Sequence, residues 1–433
     1  MPQELLVLEV ADLIINVGDA GHGVTRLLRA MKMFADRYTD YMYGLVKKVI
    51  DEIGPRPSCS EEEKKLGRLL VEEWKPICDK VETETFTCSP TAFLGYIRFS
   101  VLLFFAAVVL YWFYPLASFL LVAVSISMVF FEFLRYREYI DFLFPRKQGE
   151  NIVGTISPKG KATRRVIVSA HMDSAYEFNF IYYLRKAAIL IIDLAMIGML
   201  IALCGSLAKT IAYFGGFADN TAFAAVGYVM IALTPIMAFF LFFHTYKPVP
   251  GAQDDMAGVA VVAGLGKYLE EARRTGDWLP ERTEVVLLAI SSEEAGLRGA
   301  KRYASRHLKE MKTTPTYGLF LDNICDEKYL TVVNKEICTR ATHDPELIKM
   351  AQDVAKQHNW PVAVKSIPVE GGGTDAAAFS VKGIPAVCLL CQDITQAVPN
   401  YHTRNDTPEH VRPESLAVSL QLVIDMLQRI DGK

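Results

Sequence analysis

Two long stretches almost free of charge constrain this chain more than any other feature. Ser100–Leu134 holds one charged residue, Glu132, and Ala187–Phe243 holds three, Asp193, Lys209 and Asp219. A helix needs about 20 apolar residues to cross a bilayer, and soluble cores rarely run so long without polar punctuation. The second stretch divides between Gly215 and Asn220 into two spans, and the first breaks at Pro115 into a shorter pair. The spacing predicts four spans in two hairpins. The competing reading is a pair of very apolar core hairpins, or segments dipping into one leaflet. Overall composition, 51% hydrophobic with positive mean hydropathy, is high for a soluble enzyme.

Arg98, Arg135, Arg137, Arg146, Lys147, Arg185, Lys186 and Lys247 flank the spans where they join the polar parts of the chain, whereas the hairpin tips carry almost nothing basic. The positive-inside rule therefore points to an integral, multi-pass membrane protein whose polar domain faces the cytoplasm. The apolar run at Leu5–Val10 is short, acidic and lacks a basic lead, so no cleavable signal peptide is expected. A net charge of −3 gives no reason to expect a nucleic-acid partner. Eight cysteines show no disulfide-framework spacing. Cys388 and Cys391, in the strand-like run "PAVCLLC", should face opposite ways and act as structural thiols.

The polar remainder alternates strand-like and helix-like patterns. "RVIVSAH", "EVVLLAIS", "YGLFLD" and "PAVCLLC" are nearly continuous apolar runs, as expected of strands covered on both faces. A helical pattern runs from Met256 to Arg273. The expected fold is α/β, with a mixed, largely parallel central sheet and helices on both faces, interrupted by two transmembrane helical hairpins. Residues 1–92 would form the N-terminal helical part, 93–147 the first hairpin, 148–180 a return to the domain, 181–247 the second hairpin, and 248–433 the remainder with the metal site.

"EVVLLAISSEEAGLRGAKRYA" ends a buried strand on two adjacent glutamates, Glu293 and Glu294. Side by side, one should be pushed toward neutrality unless a cation intervenes. Other strand ends offer candidate ligands: His171 and Asp173 after "RVIVSA", Asp322 after "YGLFL", Asp254 in "GAQDD", and His402 in "PNYHTRNDTPEHV". Singly, each is more readily an ordinary hydrogen bond, cap or turn. Gathered at the carboxyl edge of one sheet, where α/β folds place their sites, they form the layout of a two-cation centre.

The ordered strings "AHMDS", "GAQDDMAG", "SSEEAGLRGAK", "FLDN", "GGGTDAAAFSVKGIPAV" and "YHTRNDT" resemble the cocatalytic di-zinc aminopeptidase family, which also includes glutamate carboxypeptidases and glutaminyl cyclases. The likeness covers about residues 40–90 and 148–433 outside the apolar blocks. It implies two Zn2+ ions, with cobalt or manganese as alternatives. It further implies that Asp254 bridges them, that Glu294 and His402 complete one, and that His171 with Asp322 completes the other. Asp173 would support the His171 ring, and Glu293 would be the general base acting on metal-activated water. Asp255 is expected to be a first-turn helix acid and Asp406 to orient the His402 loop. Asp375, Gly373 and Tyr401 would line the substrate cleft, with a turn role for the glycine run as an equal alternative. Two departures stand out: a hairpin separates the His-x-Asp strand from Asp254, and Ala376 stands where many relatives carry histidine.

The resemblance favours a membrane-embedded aminopeptidase acting on peptides with a free N-terminus, with the lipid bilayer as its other partner. A carboxypeptidase would use Arg298 or Arg404 for the substrate carboxylate; a glutaminyl-cyclase-like acyltransferase would use the same ligands with one metal. The non-enzyme alternatives are a scaffold that kept the fold and a transporter built around Asp193 and Lys209.

Overall fold

The computed structural model describes residues 37–185, 187–217, 220–394 and 400–433; Leu5–Val10, Lys186 and Asp219 lie outside them. Among the described residues, ten strands build two sheets. In chain order they are β1 (Lys80–Cys88), β2 (Lys147–Ile156), β3 (Arg164–His171), β4 (Tyr176–Phe178), β5 (His244–Pro248), β6 (Thr283–Ile290), β7 (Thr316–Ile324), β8 (Leu330–Glu336), β9 (Ala363–Ile367) and β10 (Ala386–Cys391). Eight form one mixed sheet in the order β1-β2-β6-β3-β7-β10-β8-β9, while β4 and β5 make a separate antiparallel ribbon. The central strands β6, β3, β7 and β10 run parallel and are buried almost throughout. That is why their sequences read as unbroken apolar runs. The outer strand β1 reads "KVETETFTC" and keeps most of its side chains partly or fully exposed.

Helices cover both sheet faces. One face packs against α1 (residues 37–52), α2 (Glu61–Trp74) and several later helices, around core residues such as Trp74, Leu287 and Leu389. The other face, with Leu288, Phe320 and Cys388, packs against helices that contribute Tyr303 and Phe379. Cys388 and Cys391 fall in opposite cores, as alternation requires, and both are free thiols.

Among the described residues, four further helices are long and apolar enough to cross a membrane: α3 (Ala92–Leu110), α4 (Pro115–Met128, continuing through a π-helical turn to Phe133), α5 (Ala187–Phe214) and α6 (Thr221–Phe239, continuing to Phe242). Pro115 stands at the first position of α4, where its missing N–H costs nothing, and Asn220 caps α6 by accepting the Phe223 N–H. The two hairpins pack on each other around Phe104, Tyr111, Val122, Met199 and Met230. Their outer faces stay apolar. Among the described residues, every large hydrophobic side chain classed as exposed lies on these helices or the segments adjoining them, except Ile337 and Val381.

Both hairpins leave the sheet at one edge. Cys88 of β1 pairs with Lys147 of β2, and β2 runs antiparallel to β6 with Ile152 opposite Ala289. The break between β1 and β2 is therefore at the carboxyl end of β6. The second hairpin leaves after the carboxyl end of β3 and re-enters through β5.

Candidate metal site

The same edge carries the candidate ligands. His171 ends β3, Asp322 lies near the end of β7, and Glu293–Glu294 follow β6 by three and four residues. Asp254 sits in the segment that re-enters from the second hairpin. This segment starts at Gly251 in the left-handed region (φ 69°), where a β-carbon would come within 2.5 Å of Ser174 Cβ. Only glycine fits there. α7 (Ala257–Thr275) begins after the ligand: the Asp254 backbone is extended (φ −121°, ψ 85°), and its peptide bond to Asp255 is cis. Asp255 is the one that accepts the Gly258 N–H, at 3.1 Å, as a cap does.

The ligand atoms converge in pairs. One Asp254 oxygen, Oδ1, lies 3.1 Å from His171 Nε2; the other, Oδ2, lies 3.2 Å from His402 Nε2. His402 Nε2 is also 3.2 Å from Glu294 Oε1. His171, Asp254 and Glu294 each offer a donor atom within 4.8 Å of the others. Asp254 Oδ2 and Glu294 Oε1 are fully buried at hydrogen-bonding distance from His402, yet neither has an aligned hydrogen-bond partner among the described residues. Neighbouring ligands of a tetrahedral zinc stand about 3.3 Å apart, so these spacings fit atoms aimed at a common ion. The residues present thus fit a divalent cation, and the two oxygens of Asp254 face different imidazoles. Asp322 is buried beside them, its Oδ1 accepting from Asn323 Nδ2 at 2.6 Å.

Charge reinforces the fit. Burial raises the Asp254 carboxyl, but the imidazoles of His171 and His402 outweigh it and hold it below the usual range. Burial opposes charge on His402 as well, yet Glu294 and Asp254 draw its pKa up to about 10. Burial, then Asp254, pushes Asp322 up to about 7. Crowded carboxylates therefore bind protons through the histidines, and a cation would take the place of those protons. Glu293 is pushed well above the ordinary range by burial and by Glu294, Asp375 and Asp322, against a lowering pull from His171.

Asp173 meets both His171 and the glutamate turn. Its carboxylate stands 3.5 Å from His171 Nδ1, and its backbone carbonyl lies 3.0 Å from the same nitrogen. The carboxylate also accepts the N–H groups of Glu293 and Glu294, at 3.0 and 3.1 Å, and the Ser58 hydroxyl at 2.5 Å. It pins the turn that presents the two glutamates. Asp406 likewise reaches beyond its own loop, accepting the N–H groups of Gln253 (2.7 Å) and Asp254 (3.3 Å). Tyr401 stacks on His402 at 3.9 Å between centroids. Asp375 is buried, and neither carboxylate oxygen has a hydrogen-bond partner among the described residues.

Three supporting residues escaped the sequence reading. Glu63, buried in α2, accepts the N–H groups of Ser292 and Cys59. Arg56 is wholly buried and donates to the carbonyls of Gly54, Met172, Pro250 and Gly251, tying the His171 strand to the Asp254 segment. Tyr136, from the exit of the first hairpin, lies over the glycine run: a β-carbon on Gly372 would meet its hydroxyl at 2.7 Å. "GPRP" before a helix was the only local signal for Arg56; the other two sit in unremarkable sequence.

The fold and the site define a zinc aminopeptidase-like architecture. The chain superposes on a zinc aminopeptidase from Bacillus subtilis with a TM-score of 0.53 and 15% identity, covering 90% of this chain and 95% of the other. It superposes on a glutaminyl cyclase from an Acidobacteriales bacterium with a TM-score of 0.53 and 14% identity, covering 91% and 94%. Residues 238–427 match the model of Peptidase family M28. A glutamate carboxypeptidase 2 homolog of Caenorhabditis elegans is 25% identical over 203 residues, 42% of this chain. The chain spans about a quarter of that relative's length (26%).

Proposed function

We propose that the protein is a membrane-bound, zinc-dependent aminopeptidase. Residues 1–92, 148–180 and 248–433 would form one peptidase domain, and 93–147 and 181–247 two hairpins spanning the bilayer. The basic residues at the span ends favour a cytoplasmic domain. The observation that carries the reading is the pairing of the ligand atoms around Asp254, with Glu293 beside them and outside those pairs.

Asp254, Glu294 and His402 would hold one cation, and Asp254, His171 and Asp322 the other. Bound cations supply Lewis acidity, lowering the pKa of water and polarising a carbonyl. Glu293 takes a proton from the attacking water at a carboxylate oxygen and gives it to the departing amine nitrogen. Asp173 fixes Glu293 through its backbone N–H. Asp375, buried and unpartnered among the described residues, would receive the substrate ammonium, and Gly373 and Tyr401 would line the approach.

A carboxypeptidase is less well supported, because both arginines offered for it are engaged elsewhere. Arg298 is buried against Glu132 and Asp141, at 2.9 and 2.7 Å, and Arg404 forms a two-pronged pair with Glu177. The test is a peptide pool incubated with the zinc-loaded protein in detergent and read by mass spectrometry. N-terminal ladders are expected from the wild type, and the Glu293→Gln variant should be slower by about 10²–10⁴-fold with unchanged zinc content. C-terminal trimming, or loss of ammonia from N-terminal glutamine, would move the assignment to a carboxypeptidase or a cyclase. An untouched pool with two zinc ions bound would refute peptide hydrolysis.

A further inference from the structure

The ligand-bearing edge of the sheet is also the edge from which both hairpins leave, and aromatic side chains from the hairpin bases abut the site from two sides. Phe93, in the first turn of α3, packs on Tyr136 at 4.9 Å, and a β-carbon on Gly296 would come within 2.8 Å of its ring. Gly296 belongs to the turn that carries Glu293 and Glu294. Across the site, Phe178 lies edge-on to His402 at 4.5 Å and donates its N–H to the His402 carbonyl at 2.8 Å. Phe243, just past α6, packs on Phe178 at 4.9 Å.

The level of the bilayer surface follows from the belts. Trp112, Tyr114, Tyr213 and Tyr228 ring the hairpin tips, as interfacial aromatics do. At the other end, Arg98 lies 4.7 Å over the Tyr246 ring, with Arg137, Arg185 and Lys247 also exposed. Such a belt sits at headgroup level. Phe93 precedes Arg98 by five residues, a rise of about 8 Å along a helix. The Glu293–Glu294 turn therefore lies within about one helical turn and a half of the headgroups.

We propose that the substrate is a peptide held at the bilayer surface, with its free N-terminus only a few residues from an apolar membrane anchor. A water-soluble peptide must enter the gap between sheet edge and headgroups. An anchored one is delivered along the plane of the membrane, and its apolar segment follows the aromatic bases of the hairpins. This inference rests on the aminopeptidase and membrane-spanning readings above.

The test reconstitutes the full-length, zinc-loaded protein in liposomes of zwitterionic and anionic phospholipid. The substrates share N-terminal residues drawn from a small set, followed by a spacer of 4 or 12 residues and a palmitoylated lysine; an unlipidated copy completes the series. A spacer residue reaches about 3.5 Å, so the spacers span about 14 and 42 Å. The 4-residue substrate should be cleaved at least as fast as the 12-residue one, and both at least tenfold faster than the unlipidated peptide. Cleavage of the 12-residue and unlipidated peptides but not the 4-residue one would place the site away from the bilayer and overturn the inference. Equal cleavage of lipidated and unlipidated peptides would also overturn it, leaving the aminopeptidase reading intact. If no peptide is cut in liposomes or detergent, the aminopeptidase reading itself fails. A second readout needs no turnover: in the Glu293→Gln variant, a benzophenone at the second residue of the 4-residue substrate should cross-link to peptides containing Phe93, Tyr136 or Phe178. Cross-linking confined to segments remote from the hairpin bases would overturn the proposal.

Discussion

Arg298 is buried to 1% exposure, directly after the turn that carries Glu293 and Glu294, and joins the first hairpin to the sheet edge. Its guanidinium lies 2.9 Å from Glu132, 2.7 Å from Asp141 and 3.2 Å from Glu138. Replacing it with methionine keeps much of the stem's packing and removes the charge. The three carboxylates do not suffer equally. Glu138 retains Arg302, at 2.7 and 2.6 Å through both oxygens. Asp141 is partly exposed, and burial followed by Glu132 already raises it to about 6, so it takes up a proton readily. Glu132 is wholly buried and keeps only the N–H groups of Tyr139 and Ile140. One carboxylate is stranded, and a broken buried pair costs about 3–5 kcal/mol. The apparent melting temperature in detergent should fall by roughly 5 °C or more. Adding Glu132→Gln, which leaves an acceptor for the two N–H groups, should recover about half of that loss, a coupling of 1.5 kcal/mol or more. Melting of Arg298→Met within a degree of wild type would refute the reasoning, as would a double variant no better than the sum of the singles.

Asp406→Asn should weaken zinc binding about 10–100-fold, because an amide can present only one oxygen to the two N–H groups of Gln253 and Asp254; competition with a chromophoric chelator measures it. Stability should also depend on pH through His307. Its hydrogen bond to Glu84, at 2.6 Å, raises its pKa against the opposing effect of burial. A raised histidine contributes fully below its unfolded value near 6.5 and loses that contribution as pH rises through the folded value. Glu84→Gln should flatten this part of the melting-temperature profile, and an unchanged profile would exclude the pair as its source.

Much of this was legible because the signals are local. The span breaks at Pro115 and at 215–220 are turn chemistry, and β3, β6, β7 and β10 are short apolar runs. Their carboxyl ends name His171, Glu293, Glu294 and Asp322 without further information. The supporting contacts were not legible, because each depends on a pairing far along the chain. Glu63 reads as one of three acids in a helix's first turn; only the fold brings it to Ser292, 229 positions away. The pairing of Asp173 with the neighbouring His171 is visible in sequence, whereas its N–H partners at Glu293 and Glu294 lie about 120 positions on. Arg298 reads as free for a substrate because the acid that claims it, Glu132, lies 166 positions away in an apolar run.

The position of the second hairpin explains how so large an insertion can separate His171 from Asp254 and still leave their atoms 3.1 Å apart. β4 and β5 zip the base of the hairpin, with Tyr176 opposite Pro248 and Phe178 opposite His244. Below the ribbon, the Val249 N–H donates to the Ala175 carbonyl at 2.9 Å, and Ser174 Oγ donates to the Val249 carbonyl at 2.9 Å. The chain thus re-enters the domain beside the point where it left, so the apolar helices beyond the ribbon impose no strain on the ligands. Arg56 then clamps both arms by their carbonyls. What the ribbon does transmit is position at His402, because Phe178 holds that residue by both its N–H and its ring. Of the donors around Asp254, His402 is therefore the one whose placement depends most directly on how the second hairpin is held.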